Sequence, residues 1–285
     1  MCRFLIYKGK PIIIAELITK PAHSLIKQSV HSRERKEPLN GDGFGLGWYA
    51  PSLSQEPALF TSLTPAWGNR NLRRLVDKIQ SPCLFAHIRA ASKGLMVSEV
   101  NCHPFQYRNL LWMHNGVCNE FYRIKRILRQ SLKDEFYHMI SGTTDSEHAF
   151  ALFLNFLPEG KKWTLSDYKR AMVQTIKQLN LWSKEAGIEG KSMYNFALSD
   201  GENIVVTRYA THGDEYSETL DYSSGTAFEC DGDVCHMINP GKGKEAIIVS
   251  SEPLTDLKED WKPVPIDHLL AIDAANNTEI IPINI

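Results

Sequence analysis

The sequence predicts an α+β fold of layered sheets covered by helices, and three observations carry that prediction. Short alternating or β-branched apolar runs fill the first third, segments of helical period occupy the middle, and short strands return in the last third. Strands, then helices, then strands is the order expected when helices pack on the outside of sheets. Early strands are predicted at Arg3–Tyr7, Pro11–Ala15, Gly45–Tyr49, Cys83–Arg89 and Leu110–His114. Two later ones, Tyr194–Leu198 and Asn203–Tyr209, flank Ser199-Asp200-Gly201-Glu202, whose Asp-Gly pair signals a hairpin. Ala246–Ser250 and His268–Ile272 complete the set.

Helices are predicted where Leu72, Leu75, Val76 and Ile79 share one face and where Phe121, Ile124 and Leu128 share another. A third begins at Thr144, because Thr144-Asp145-Ser146-Glu147 has the capping-box pattern ahead of an apolar run. A fourth runs from Ser166 to about Lys184. Segment 211–244, rich in Gly, Ser, Asp and Glu, is expected to be a long loop or insertion in an otherwise single domain spanning 1–285.

Composition narrows the function classes. Hydrophobic residues at 43% and charged residues at 23% indicate a globular chain, and 285 residues can bury an ample core without disulfides or metal. The formal charge of -1 gives no general pull toward nucleic acid or anionic membrane. The mixed-sign run 33–37 reads as solvated surface. The apolar run near Ile12 is far short of a membrane span, and no secretory signal is recognisable, so a cytoplasmic protein is expected. The six cysteines are scattered without a C-x-x-C pair, which argues against a disulfide framework and a zinc ribbon and predicts mostly buried thiols. No metal site or cofactor is expected.

The residues that can carry chemistry begin with Cys2. Removal of Met1 would leave its thiol beside a free α-amine of intrinsic pKa about 7.7–8.0, which puts nucleophile and base in one residue. A cysteine at this place is more often a small hydrophobe opening a strand, so other motifs must shift the balance. Arg89 ends an apolar strand, where its planar guanidinium can take a carboxylate in bidentate fashion. Asn115-Gly116 is expected at a strand-to-loop turn, where the amide and the glycine N–H can hold an oxyanion if they face Cys2. Asp145 complements a helix N-terminus and can equally bind an ammonium. His103, in the turn Asn101-Cys102-His103-Pro104, suits a supporting hydrogen bond better than metal ligation. The alternating glycines of Gly41-Asp42-Gly43-Phe44-Gly45-Leu46-Gly47 lack the order of a phosphate loop and suggest a strand with a face open to close approach.

Met1-Cys2-Arg3-Phe4-Leu5, Asn40-Gly41-Asp42-Gly43-Phe44-Gly45, His87-Ile88-Arg89, His114-Asn115-Gly116 and Thr144-Asp145-Ser146-Glu147, in that order, resemble the class II glutamine amidotransferases. Val249-Ser250-Ser251-Glu252-Pro253-Leu254 looks like a late motif of the same family. The resemblance implies a four-layer αββα sandwich of two antiparallel sheets between helical layers. It also implies Cys2 as nucleophile, Asn115 and Gly116 as oxyanion donors, and Arg89 and Asp145 as the clamp on an amino-acid head group. His103 is matched less closely, as a substrate-binding residue. Pro21–Ser29 looks most like the small stand-alone members of glutathione breakdown and ergothioneine synthesis, which points to glutamine or a γ-glutamyl compound as substrate. An ammonia-accepting or peptidase-like partner chain would be needed to use the product. Two alternatives stand beside this reading: an N-terminal-cysteine acylase for another amide, and a non-catalytic γ-glutamyl-binding subunit that retains Met1.

Overall fold

The structure, a computed structural model, describes residues 2–33, 39–90, 97–160, 162–213, 217–232 and 234–285. Of the mixed-charge run 33–37, only Arg33 lies within them. Strand β1 (Arg3–Ile13) joins the two runs predicted at its ends, and its register shifts between Lys8 and Ile12, where Pro11 removes a backbone donor. Helices α1 (Ala15–Ile18) and α2 (Leu25–Val30) follow, the second capped by the Ser24 side chain, which accepts from the Lys27 N–H. Strands β2 (Phe44–Ala50) and β3 (Ser54–Ser62) form a hairpin, and α3 (Arg70–Val76) leads into β4 (Gln80–Ile88). Next come β5 (Phe105–Tyr107), β6 (Leu110–Val117), α4 (Lys125–Ser131), α5 (Asp134–Met139), α6 (Asp145–Asn155) and α7 (Leu165–Glu185). The last third holds β7 (Met193–Ser199), β8 (Ile204–Arg208), β9 (Asp221–Gly225), β10 (Ala227–Asp231), β11 (Val234–Ile238), β12 (Ala246–Ser250), β13 (Lys262–Pro263), β14 (His268–Ile272) and β15 (Thr278–Pro282).

Among the described residues these strands form two main antiparallel sheets and a separate hairpin, β10-β11. The first sheet runs β13-β9-β12-β1-β4-β2-β3 and the second β15-β14-β8-β7-β6-β5. Side-chain alternation sorts their residues into three cores. Phe4, Ile6, Phe85, Leu111, Met113, Ala197, Val206, Val249 and Leu270 fill the space between the sheets. Leu5, Tyr7, Leu84 and Ile248 point the other way, against α1, α2, α3 and the β10-β11 hairpin. Leu110, Trp112, Phe196 and Leu198 pack under α4, α5, α6 and α7. Helix, sheet, sheet, helix is the four-layer αββα arrangement expected from the family motifs.

Several local expectations need correction. Segment 211–244 is not one long loop: β9 pairs with β12 as part of the first sheet, and β10 pairs with β11. Long-range ladder bonds override the turn-prone composition there. Cys230 and Cys235 face each other across that hairpin and are joined by a disulfide, so the scattered cysteines contain one bridge, while Cys2, Cys83, Cys102 and Cys118 are free thiols. On α3, which ends at Val76, Leu72 and Val76 are buried but Leu75 is exposed. At α6 only half of the capping box forms: Thr144 Oγ1 accepts from the Glu147 N–H, whereas the Glu147 carboxylate accepts from the N–H groups of Ser141 and Gly142. The reciprocal box is made at α7, between Thr164 and Asp167.

The close approach predicted for the glycine-rich stretch is realised at Gly45, where a Cβ would lie 2.1 Å from the carbonyl oxygen of His103. The backbone leading into β5 crosses β2 there. No helix of the described residues is long and apolar enough to cross a membrane.

Trp112 is the largest fully buried side chain among the described residues and packs on Phe150, Phe153 and Phe196 with ring centroids 4.8–5.4 Å away. Trp112→Ala is expected to lower stability by about 3–5 kcal/mol in urea denaturation, the cost of a large cavity between sheet and helices.

Candidate active site

Cys2 opens β1, the strand flanked on both sides by β12 and β4. Its half-buried Sγ lies against the backbone of Ala90, 3.4 Å from the N–H and 3.6 Å from the carbonyl oxygen. Burial raises the thiol pKa, against the pull of the Ala90 N–H and of the Arg89 and Arg3 charges. The thiol is therefore held in its protonated form. Arg89, the residue before Ala90, follows directly after β4 and is buried; its backbone N–H donates to the Gly43 carbonyl at 2.8 Å and its guanidinium reaches the Asp42 carbonyl at 3.4 Å.

Asn115 and Gly116 come from the second sheet. They do not form the turn expected of an Asn-Gly pair: both lie inside β6, opposite Asn195 and Tyr194 of β7. Glycine is required because a Cβ at 116 would lie 2.0 Å from the Met193 carbonyl oxygen, so the strand continues only where no side chain intervenes. The Asn115 amide is fully buried and lies 3.4 Å from Ser251 Oγ, which in turn accepts from the Phe4 N–H at 3.0 Å. One hydroxyl thus links the strand that carries Cys2 to the strand that carries Asn115. Asp145 opens α6 close to the end of β6. Its Oδ2 accepts from the Cys118 N–H at 2.7 Å and its Oδ1 from the Ser146 N–H at 2.9 Å, which orients a partly exposed carboxylate at the positive end of the helix.

His103 is buried, with Nδ1 2.9 Å from His87 Nε2, and His87 Nε2 is also 3.1 Å from the His114 carbonyl oxygen. His103 therefore has a ring nitrogen committed inside the fold. His114 donates from Nε2 to the Met193 carbonyl at 3.0 Å, which leaves Nδ1 to accept from Ser146 Oγ at 2.9 Å. Burial lowers all three imidazoles, His87 to about 3 and His103 well below its ordinary value; at His114 the Asp145 charge works against that trend. Neutral imidazoles are consequently the resident form between the sheets and α6.

The residues with the largest network escaped the sequence reading. Glu252, just after β12, is buried and accepts from Arg3 Nε at 2.7 Å, His23 Nε2 at 2.7 Å, the Arg33 N–H at 3.0 Å and the Ser32 hydroxyl. Arg3 also donates from Nη1 to the Cys2 carbonyl at 2.9 Å and stands 3.8 Å from Glu218. The signals were an arginine directly ahead of the apolar run Phe4–Tyr7 of β1 and a glutamate in the late motif, both of which require a partner when buried.

The sequence profile of the class II glutamine amidotransferases matches residues 14–282. The chain belongs to this family. The matched segment contains Arg89, Asn115, Gly116 and Asp145, while Cys2 lies ahead of it. The probable glutamine amidotransferase DUG3 of Saccharomyces cerevisiae is 43% identical over 292 residues, covering 95% of this chain and 82% of that protein. The γ-glutamyl-hercynylcysteine sulfoxide hydrolase of Mycobacterium tuberculosis is 30% identical over 118 residues, 41% of this chain and 49% of that protein, so the match spans about half its length. Among solved structures, a glutamine aminotransferase class-II domain protein from Silicibacter pomeroyi superposes over 99% of both chains with a TM-score of 0.68 at 24% identity. The glutamine phosphoribosylpyrophosphate amidotransferase of Bacillus subtilis matches all of this chain over 50% of its own length, with a TM-score of 0.60 at 15% identity. These amidotransferases share the layered fold described above.

The Glu252 carboxyl is held at about 2: burial opposes its charge, but the hydrogen bonds from His23 and Ser32, the Arg3 charge and the Arg33 N–H outweigh it. A folded-state pKa below the ordinary 4.5 gives stability that is present above 4.5 and lost as pH falls toward 2. Wild type should therefore exceed Glu252→Gln by about 3 kcal/mol near neutrality, with the gap closing as urea denaturation is repeated from pH 4.5 downward.

Proposed function

We propose that the chain hydrolyses the γ-amide of glutamine or of a γ-glutamyl compound through a thioester on Cys2. The observation that carries this reading is the contact of Cys2 Sγ with the Ala90 backbone, next to Arg89, together with the single hydroxyl of Ser251 that separates this strand from the Asn115 amide. In this reading the nucleophile comes from just ahead of β1, the head-group cation from just past β4 and the amide donor from β6. The names of the yeast and mycobacterial relatives, a glutamine amidotransferase and a γ-glutamyl hydrolase, support the same reaction class.

In this mechanism the α-amine freed by removal of Met1 takes the thiol proton, which the buried Cys2 does not release readily by itself. Sγ attacks the γ-carbonyl carbon, and the oxyanion is held by an Asn115 side-chain N–H and the Gly116 backbone N–H. The amine returns the proton to the leaving nitrogen as the C–N bond breaks. Water then cleaves the thioester, releasing the γ-carboxylate and restoring the thiol. The Arg89 guanidinium binds the substrate α-carboxylate and Asp145 its ammonium, while His103 supports the site as a neutral ring packed on His87. No metal or cofactor enters any step. The ammonia or amine released is taken up by an ammonia-accepting or peptidase-like partner chain. A cytoplasmic location fits the four free thiols, Cys2 among them, while the Cys230–Cys235 bridge argues the other way.

Incubation with diazo-oxo-norleucine followed by peptide mass spectrometry should place one adduct on the peptide beginning at Cys2, with Met1 absent; an adduct elsewhere, or none, overturns the assignment. Asn115→Ala is expected to lower kcat by about 10²–10³ while still melting cooperatively as a folded protein, whereas a variant of normal kcat would exclude the oxyanion role. γ-Glutamyl substrates should be turned over and N-acyl amides lacking the amino-acid head group should not.

A further inference from the structure

Asn115 and Asn195 stand directly opposite each other on β6 and β7. Both are fully buried, on the face of the sheet that carries Leu111, Met113 and Ala197 into the core between the sheets. Opposed residues of an antiparallel pair have Cβ atoms about 4.5–5.5 Å apart, so the two amides share one space. Yet the Oδ1 of each finds no hydrogen-bond partner among the described residues. Two neighbouring buried acceptors without a donor call for a physical explanation.

The orientation of Asn195 is fixed. Its Nδ2 donates to the carbonyls of Glu218 at 3.2 Å and Thr219 at 3.5 Å, groups that can only accept, so its Oδ1 is a standing acceptor. Asn115 is not constrained in this way. Its partner is Ser251 Oγ, a hydroxyl that already accepts from the Phe4 N–H and retains a proton to give. Turning the Asn115 amide over lets Ser251 donate to Oδ1 and brings Nδ2 to the side of Asn195. One N–H then meets the waiting Asn195 Oδ1, and the other is left for a reacting oxygen.

We propose that Asn195 and Ser251 are positioning residues that hold the Asn115 amide with one N–H directed at the oxyanion. The proposal rests on the reading of Asn115 as an oxyanion donor. Neither residue touches the substrate. Their contribution is to fix the donor before the reaction, so that no reorganisation is needed as charge develops.

A double-mutant cycle on the full chain tests this, with γ-glutamyl-p-nitroanilide as probe and melting temperature as the check on folding. Asn195→Ala is expected to lower kcat by up to about 10²-fold with KM little changed, and to cause no further loss in the Asn115→Ala background. Ser251→Ala should behave likewise, and Ser251→Thr, which keeps the hydroxyl, should recover most of the rate. Undiminished kcat in Asn195→Ala, or the same fold loss with and without the Asn115 amide, overturns the proposal. Where Asn195→Ala fails to fold, the Ser251 variants carry the same cycle: loss confined to the Asn115 background supports the positioning role, and undiminished or additive rates overturn it. A normal kcat for Asn115→Ala alone removes the oxyanion reading and the proposal with it. A slow Asn115→Ala with additive partners removes only the positioning role.

Discussion

The ion pair between Arg3 and Glu252 is the constraint on which the arrangement of the site depends. Placing both charges inside the protein is costly unless geometry and further hydrogen bonds offset their desolvation. Here the offset comes from His23, Ser32 and the Arg33 backbone on one side and from the Cys2 carbonyl on the other. The segment after β12, the region around α2 and the start of β1 are therefore fixed to one another. Cys2 inherits that fixation through its own carbonyl, while the adjoining Ser251 extends it to the second sheet. Cys2 is anchored one residue away by a buried charge.

The sheets were legible where burial and alternation coincide. Leu110–Met113 is apolar on both faces because one face meets Phe150 and Phe153 while the other meets the first sheet, and such a run reads as a strand. β3 was missed because its side chains are largely exposed and Pro57 interrupts it, as suits an edge strand. α2 is six residues long, too short to show a period. β9 is turn-rich in composition and becomes a strand only because β12 lies beside it.

The candidate site divides in the same way. Cys2, Arg89, Asn115-Gly116 and Asp145 were singled out as candidates because each sits in a short local motif, and their order along the chain matched a family. Glu252, His87 and Asn195 were not, because their significance lies in partners far away in sequence: Arg3 and Glu252 are 249 positions apart. A residue type can announce that it needs a partner, as a buried arginine does, without naming it. His103 was read from its turn as suited to a supporting hydrogen bond, and its ring nitrogen is engaged with His87, a contact set by the crossing of β2 at Gly45.

The position of β1 in its sheet has a consequence for the order of events during synthesis. Leu5 pairs with Ala86 on one side and with Ser250 on the other. β1 is thus among the last strands to gain both neighbours, since β12 must be translated before its second ladder can close. Throughout that interval β1 has only one of its two ladders, and the segment around Cys2 is held on one side alone. Central placement late in folding and accessibility early in translation are two results of the same topology, so the thiol of Cys2 is open first and enclosed afterwards.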